Sequence, residues 1–172
     1  GVVMSDIKEC GWGRATIRNI ANKVREVSGF DPKQNTDFKT IVEMFGGKVS
    51  NNKDVFFGDT IDVLGKLDFT IKLHPLATTE RQRFTLAHEL GHYFLHSRQG
   101  EIPLRAFRLG TSLAEREANY FAAELLMPED MFKEDFAKLP QGLDSDGQIS
   151  KMAEMYHVSF LAASVLIVSW SC

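Results

Sequence analysis

The sequence Arg83-Phe-Thr-Leu-Ala-His-Glu-Leu-Gly-His-Tyr-Phe-Leu-His96 contains two histidines, His88 and His92, that are four residues apart in an apolar stretch. On an α-helix this spacing leaves both imidazoles within about 40° of each other around the axis, so both can reach one metal ion. Glu89 follows the first histidine, and its carboxylate can accept a proton from a metal-bound water without being a ligand. The H-E-x-x-H spacing therefore predicts a helix that carries a zinc hydrolase site.

Apolar residues surround these polar ones, with Phe84, Leu86, Leu90 and Leu95 on several sides of the predicted helix. A helix that is apolar on most sides is expected to be buried. Burying two imidazoles and a carboxylate without partners would cost several kcal/mol, on the order of 2 kcal/mol or more per group. A bound metal would remove that cost.

Capping signals predict where two helices begin. Thr79 at the N-cap with Gln82 three residues later fits a capping box for the H-E-x-x-H helix. Ser112 with Glu115 repeats the pattern before a second apolar helix, which Pro128 ends. A capping role is therefore one interpretation of Glu115.

The third metal ligand decides the class of zinc hydrolase. A metzincin would need Gly at position 95 and His at position 98, but the chain has Leu95 and Arg98. A glutamate from a later helix is the other common solution and leaves the fourth position to water. Glu115 and Glu117 are the candidates; Glu117 lies about 200° from Glu115 around the helix and is expected to be solvated.

The second segment, Glu115-Arg-Glu-Ala-Asn-Tyr-Phe-Ala-Ala-Glu-Leu-Leu-Met-Pro128, completes a specific resemblance. Together with the H-E-x-x-H segment it resembles the ImmA/IrrE family of metallopeptidases, whose pattern here is Glu-x-x-Ala-(Asn/Asp)-x-Phe-Ala. The likeness covers roughly residues 17–168. The resemblance implies these site residues: metal ligands His88, His92 and Glu115, catalytic base Glu89, and Asn119 as the group that orients a ligand imidazole.

The resemblance also implies a function. Family members are site-specific endopeptidases that cleave helix-turn-helix repressors, often in mobile elements or stress responses. We therefore expect Zn²⁺, with Mn²⁺ as the alternative, and a protein substrate of that kind. Glu117 remains the fallback ligand, while Tyr93 and His96 are candidates for the substrate cleft or the oxyanion. The alternative hypothesis is a non-catalytic regulator that uses the peptidase scaffold to bind a repressor or a toxin–antitoxin partner.

Composition limits the other classes of function. A length of 172 residues fits one domain, residues 1–172, and the net charge of −3 gives no electrostatic reason to expect nucleic acid as a partner. Cys10 and Cys172 form no disulfide framework, which favours a cytoplasmic protein with free thiols. Gly1-Val-Val-Met4 is interpreted as a cloning remnant before a native Met4, with no signal peptide after it.

The remaining patterns predict the frame. Helical spacing covers residues 14–28, and Asp37 can cap a second helix. Short β-branched and aromatic runs from Lys48 to His74, including Val55-Phe-Phe57 and the alternating Leu67–Leu73, predict strands. A strand beside a metal-site helix can bind substrate as an added strand if it lies at the sheet edge.

Two later segments complete the prediction. The basic stretch 98–112 is expected to be a loop, and residues 149–172 a helical segment packed on the domain. Within it, the apolar run Val158–Trp170 is too short to span a bilayer and is predicted to be a buried helix. The fold class is thus α+β: a zincin-like single domain in which a small, mostly antiparallel sheet of three or four strands packs against the H-E-x-x-H helix and a second Glu-bearing helix, with helical N- and C-terminal segments.

Overall fold

Helices lie at both ends of the chain, and most of a four-stranded sheet lies between them in sequence. The computed structural model describes residues 7–52, 58–107 and 112–170. In chain order the elements are α1 (Arg14–Ser28), α2 (Phe38–Met44), β1 (Gly47–Asn51), β2 (Thr60–Gly65), β3 (Asp68–Leu73), α3 (Thr79–Gly91), a π-helical turn (His92–His96), β4 (Leu104–Phe107), α4 (Leu113–Leu126), α5 (Glu129–Ala137), α6 (Ser145–Tyr156) and α7 (Phe160–Ser169).

The first two helices match the sequence prediction. Helix α1 buries Ile17, Ala21 and Val24 on one face and ends at Gly29, whose φ of 69° is left-handed. Helix α2 is capped by Asp37, whose side chain accepts a hydrogen bond from the Lys39 backbone N–H at 3.1 Å. Helical spacing was therefore sufficient to locate α1, and the cap at Asp37 was sufficient to locate the start of α2.

The sheet has the strand order β1-β3-β2-β4. β1 runs parallel to β3, whereas the β2–β3 and β2–β4 pairs are antiparallel, which confirms the mostly antiparallel prediction. In β3, Phe69, Ile71 and Leu73 are buried and the residues between them are more exposed, as the alternation predicts. The run Val55–Phe57, also predicted as a strand, lies outside the described residues.

β3 lies inside the sheet and not at its edge. The edge strands are β1 and β4, so a substrate strand cannot add to β3. Helix α3 and the π-helical turn pack against the sheet through side chains of the common core; Phe69 of β3 stacks on Tyr93 of the turn with ring centroids 4.2 Å apart. Each such fully buried aromatic side chain contributes roughly 1.5–3 kcal/mol of hydrophobic stabilisation.

The prediction of a plain loop over 98–112 was wrong, because this stretch contains strand β4. The strand is only four residues long and pairs with β2, and Arg105 forms an ion pair with Asp62 on that strand. Gly100 precedes it with a φ of +89°, and a Cβ there would lie 2.2 Å from the Gly65 carbonyl carbon. Glycine is therefore required where this turn crosses the end of β2.

The C-terminal part differs from the prediction in two ways. Helix α5 was not predicted, and α6 begins at Ser145, before the start of the predicted helical segment 149–172. Helix α7 is not a buried helix: Ala163 is buried, but the helix packs mainly on α6 and leaves one apolar face exposed. The exposed side chains on this face are Phe160, Leu161, Val165 and Val168.

Among the described residues, no single helix is long and apolar enough to cross a membrane. Helices α6 and α7 reach the required length and composition only as a pair, and a bend of 115° separates them.

Candidate metal centre

Helix α3 presents His88 and Glu89 from its last turn, and His92 follows where the helix widens into the π-helical turn. All three side chains are buried. The helix begins one residue earlier than predicted: Thr78 is the N-cap and accepts from the Arg81 backbone N–H at 3.2 Å. The predicted capping box is therefore not formed.

Helix α4 brings Glu115 to the two histidines. Ser112 caps the helix by accepting from the Glu115 backbone N–H at 3.3 Å, as predicted. The Glu115 side chain points elsewhere: Oε2 lies 2.8 Å from His88 Nε2 and Oε1 lies 3.0 Å from His92 Nε2. Glu115 thus takes part in the cap only through its backbone N–H, while its carboxylate bridges both imidazoles.

Asn119 sets the orientation of His88. Its Oδ1 lies 2.7 Å from His88 Nδ1, so the ring donates from Nδ1 and turns its Nε2 lone pair toward Glu115. His92 Nε2 is buried and, despite its short distance to Glu115, makes no hydrogen bond there. Two nitrogen lone pairs and a carboxylate that face one another need a cation between them, so these residues fit a divalent metal.

The pKa values of Glu115 and His92 also favour metal binding. Burial acts to raise the pKa of Glu115, but its contacts with His88 and His92 outweigh burial and hold the pKa at about 2. Burial lowers the pKa of His92, although Glu115 acts against it. A carboxylate that stays ionised beside a neutral imidazole is the protonation state that binds a metal without competition from protons.

Gly91 allows the two helices to approach closely. A Cβ at this position would lie 3.1 Å from the Cα of Ala118 on α4 and 3.2 Å from the Phe121 ring. The glycine therefore makes room for α4. This close approach lets Glu115, one turn before Ala118, reach both histidines.

Tyr93, one of the two cleft or oxyanion candidates, has another role. Tyr93 is buried against the sheet; its hydroxyl accepts from the Leu67 N–H at 3.2 Å and lies 3.4 Å from the Gln99 carbonyl, to which it donates. These bonds join the β2–β3 turn to the segment after the metal-site helix. The Tyr93 hydroxyl is therefore committed to the protein interior.

His96, the other candidate, faces His92. Its Nδ1 lies 2.8 Å from His92 Nδ1, and its Nε2 lies 2.9 Å from Glu117 Oε1. Burial and then His92 lower the pKa of His96, which favours a neutral ring. The described contacts of both ring nitrogens of His96 are therefore with His92 and Glu117.

Glu117 is not solvated, contrary to the prediction, because the N-terminal segment covers it. Its carboxylate accepts from the backbone N–H groups of Cys10 at 2.8 Å and Gly11 at 3.0 Å, and from the Cys10 thiol at 3.1 Å. The Cys10 thiol is free, and burial raises its pKa to about 11. The Glu117 carboxylate, the fallback ligand of the prediction, thus contacts His96 and not His88.

The link through His96 and Glu117 was missed by the sequence analysis. Its signal in the sequence was weak: a third histidine four residues after His92, and a glutamate on the helix that follows. The remaining histidines contact other groups. His74 Nδ1 accepts from the Leu76 N–H, and His157 Nε2 lies 2.9 Å from the Lys33 carbonyl oxygen.

Comparisons with known proteins show the family of the chain. The family model Peptidase_M78, described as IrrE N-terminal-like domain, matches residues 58–166, which is more than half of the chain. The chain is also similar to Metallopeptidase ImmA of Bacillus subtilis (strain 168), with 35% identity over 63 residues, or 36% of this chain and 37% of the relative. The matched stretch is thus less than half of the length of that relative.

Proposed function

The chain belongs to the IrrE N-terminal-like domain family of peptidases, and from that premise we propose that it is a zinc-dependent, site-specific endopeptidase. The observation that carries the proposal is the convergence of His88, His92 and Glu115 in a buried centre. The relative's name, Metallopeptidase ImmA, supports the same class of reaction.

The donor set suits zinc. Two imidazole nitrogens and one carboxylate form a common catalytic zinc site, and the same set tolerates Mn²⁺. His88, His92 and Glu115 would hold the ion, which would polarise the scissile carbonyl and lower the pKa of a water molecule. The ionised carboxylate and the neutral His92 described above prepare these residues for that role.

Glu89 is the proposed general base. It lies between the two histidines in sequence, on the same helix, and it is fully buried. Its carboxylate would take the proton of the attacking water and return it to the leaving amine, a role that typically contributes about 10²–10⁴-fold to the rate. Asn119 would keep His88 in the required tautomer through the 2.7 Å contact.

The proposed substrate is a helix-turn-helix repressor, cut in a linker, in the cytoplasm and in the context of a mobile element or a stress response. Support for the substrate comes from the family resemblance. We propose no direct contact with nucleic acid.

The test is co-incubation with the product of the adjacent gene, which the resemblance implies is a helix-turn-helix repressor. We expect the zinc-loaded wild type to cleave it, and Glu89→Gln to bind one zinc per chain with the fold retained while cleavage falls by about 10²–10⁴-fold. His88→Ala should lose both zinc and cleavage. Zinc content, circular dichroism and product mass are the measurements.

Glu80→Gln is the matched control, because Glu80 is exposed on the first turn of the same helix. It should cleave like the wild type. Failure of the metal-replete wild type to cleave would contradict the proposal. A stable complex that forms equally with Glu89→Gln, without proteolysis, would instead identify a non-catalytic binding regulator.

A further inference from the structure

We infer that His96 and Glu117 are positioning residues, which connect His92 to the N-terminal segment and determine which His92 nitrogen carries the proton. The inference deepens the proposed function and relies on it only for the presence of a metal at His92. The geometry is continuous: His92 Nδ1 lies 2.8 Å from His96 Nδ1, and His96 Nε2 lies 2.9 Å from Glu117 Oε1. Both histidine rings are buried.

The N-terminal segment fixes the Glu117 end of this series of hydrogen bonds. Glu117 accepts two backbone N–H groups, from Cys10 and Gly11, as well as the Cys10 thiol. With His96 included, four donors surround one carboxylate. An ionised carboxylate can only accept hydrogen bonds, so Glu117 fixes the donor-to-acceptor direction of the hydrogen bonds made by His96 and His92.

That direction passes through both rings. His96 must donate from Nε2 because Glu117 is an acceptor, and a neutral imidazole then has only its Nδ1 lone pair left. His92 must therefore donate from Nδ1 to His96. The lone pair of His92 remains on Nε2, the atom that lies 3.0 Å from Glu115.

The two histidine ligand candidates, His88 and His92, are thus oriented in the same way by different means. Asn119 accepts directly from His88 Nδ1, whereas His92 Nδ1 reaches its carboxylate through a second imidazole. Partners of this kind commonly change metal affinity by about 10–100-fold when they are removed. The N-terminal segment consequently supports the metal centre without contacting it.

A competing interpretation is a second metal site. Cys10, His96 and Glu117 bring one ligand atom each within 4.8 Å of one another. A metal there would occupy the Nε2 lone pair of His96, so Nδ1 would carry the proton and donate to His92. With a metal on His92 Nε2 as well, the His92 ring would have no proton left. Two ions would therefore require an imidazolate, whereas the hydrogen-bonded chain requires only neutral rings.

The experiment measures ring tautomers and zinc affinity. Long-range ¹H–¹⁵N NMR of the zinc-loaded wild type should show His92 protonated at Nδ1 and His96 protonated at Nε2. Glu117→Gln keeps the size of the side chain but replaces one of the two acceptor oxygens with an amide donor, where four donors now use both oxygens. It should therefore raise the zinc dissociation constant by about 10–100-fold, measured by chelator competition, and disturb the His92 tautomer. Arg116→Gln, an exposed neighbour on α4, is the control and should change neither.

Three results would overturn the inference: a proton on His96 Nδ1, a second zinc per chain, or zinc affinity in Glu117→Gln equal to that of the wild type. The tautomers of the wild type decide the question even if the variant does not fold. The failure of the proposed function can be distinguished from the failure of this inference. A protein that has these tautomers and one zinc but cleaves no partner would contradict the proposed function and support the inference. If the protein binds no zinc, the His96 tautomer of the metal-free protein still tests the inference.

Discussion

Arg83 is a buried charge that has a structural role. Its Nη2 donates to the Pro32 carbonyl at 3.0 Å and its Nη1 donates to the Thr36 carbonyl at 3.2 Å, while the guanidinium lies 5.0 Å from the centre of the Phe30 ring. Burial lowers its pKa to about 10, so it remains charged at neutral pH. Arg83 therefore fastens the loop between α1 and α2 to the start of the metal-site helix.

We predict that Arg83→Met destabilises the protein by about 2–3 kcal/mol, because methionine fills part of the space but leaves buried carbonyls without donors. Urea unfolding should show a lower midpoint with an unchanged slope. Arg81→Met, at an exposed position on the same helix, should stay within about 0.5 kcal/mol of the wild type. Equal midpoints for the two variants would show that Arg83 does not support the loop.

At the scale of elements, the contact between α3 and α4 at Gly91 controls the shape of the metal centre. We predict that Gly91→Ala weakens zinc binding and lowers stability by roughly 1 kcal/mol. The added methyl group improves helix propensity by about 1 kcal/mol, but crowding of a packed interface costs about 1–3 kcal/mol. One of the crowded neighbours is the Ala118 backbone, at 3.1 Å, which cannot move without moving α4 and Glu115.

The measurements are zinc affinity by chelator competition and the urea midpoint. Gly13→Ala is the control, since no atom lies within 4 Å of a Cβ at that position. It should leave zinc affinity unchanged. Zinc binding by Gly91→Ala that is as tight as in the wild type would mean that the interface can absorb the methyl group.

How far the sequence predicts an element depends on where its contacts come from. Helix α3 and strand β3 carry their own periodic patterns, and α4 carries a capping residue, so local physics was enough for them. Strand β4 is four residues long and exists because β2 is available for pairing. Helix α7 has an apolar sequence on all sides, and only the position of α6 decides which side is covered.

The same distinction applies within the site. The angle of Glu117 around α4 was correctly calculated, but its environment depends on Cys10, which is 107 residues away in sequence. Helical spacing predicts which residues share a face and gives no information about what later covers that face. The grouping of His88, His92 and Glu115 needed only one helix spacing and one recognised segment, whereas the His96–Glu117 link needed the tertiary fold.

For the whole molecule, Asp135 connects three parts of the chain. Its Oδ2 accepts from the buried Tyr156 hydroxyl at 2.6 Å and lies 3.1 Å from Lys33 Nζ, so α5, α6 and the loop after α1 meet at one carboxylate. On this basis we propose that the C-terminal helical segment unfolds together with the rest as one domain. Burial acts to raise the pKa of Asp135, but Tyr156 and Lys33 outweigh it and the pKa is lowered.

We predict that Asp135→Asn costs about 1–2 kcal/mol at pH 7, and that the cost disappears in acid. Because the folded pKa lies below the ordinary value of 3.8, the unfolded chain binds the proton first as the pH falls. The stabilisation is therefore complete above about pH 3.8 and is lost as the pH falls through the lower folded value. Glu134→Gln, an adjacent exposed carboxylate that pairs with Lys138 on the surface, should cost less than about 0.5 kcal/mol at any pH. Urea unfolding at several pH values measures both variants, followed by the fluorescence of Trp12 and Trp170 and by circular dichroism. A destabilisation by Asp135→Asn that persisted below that range, or two probes with separate midpoints, would contradict the coupling of the C-terminal segment to the domain.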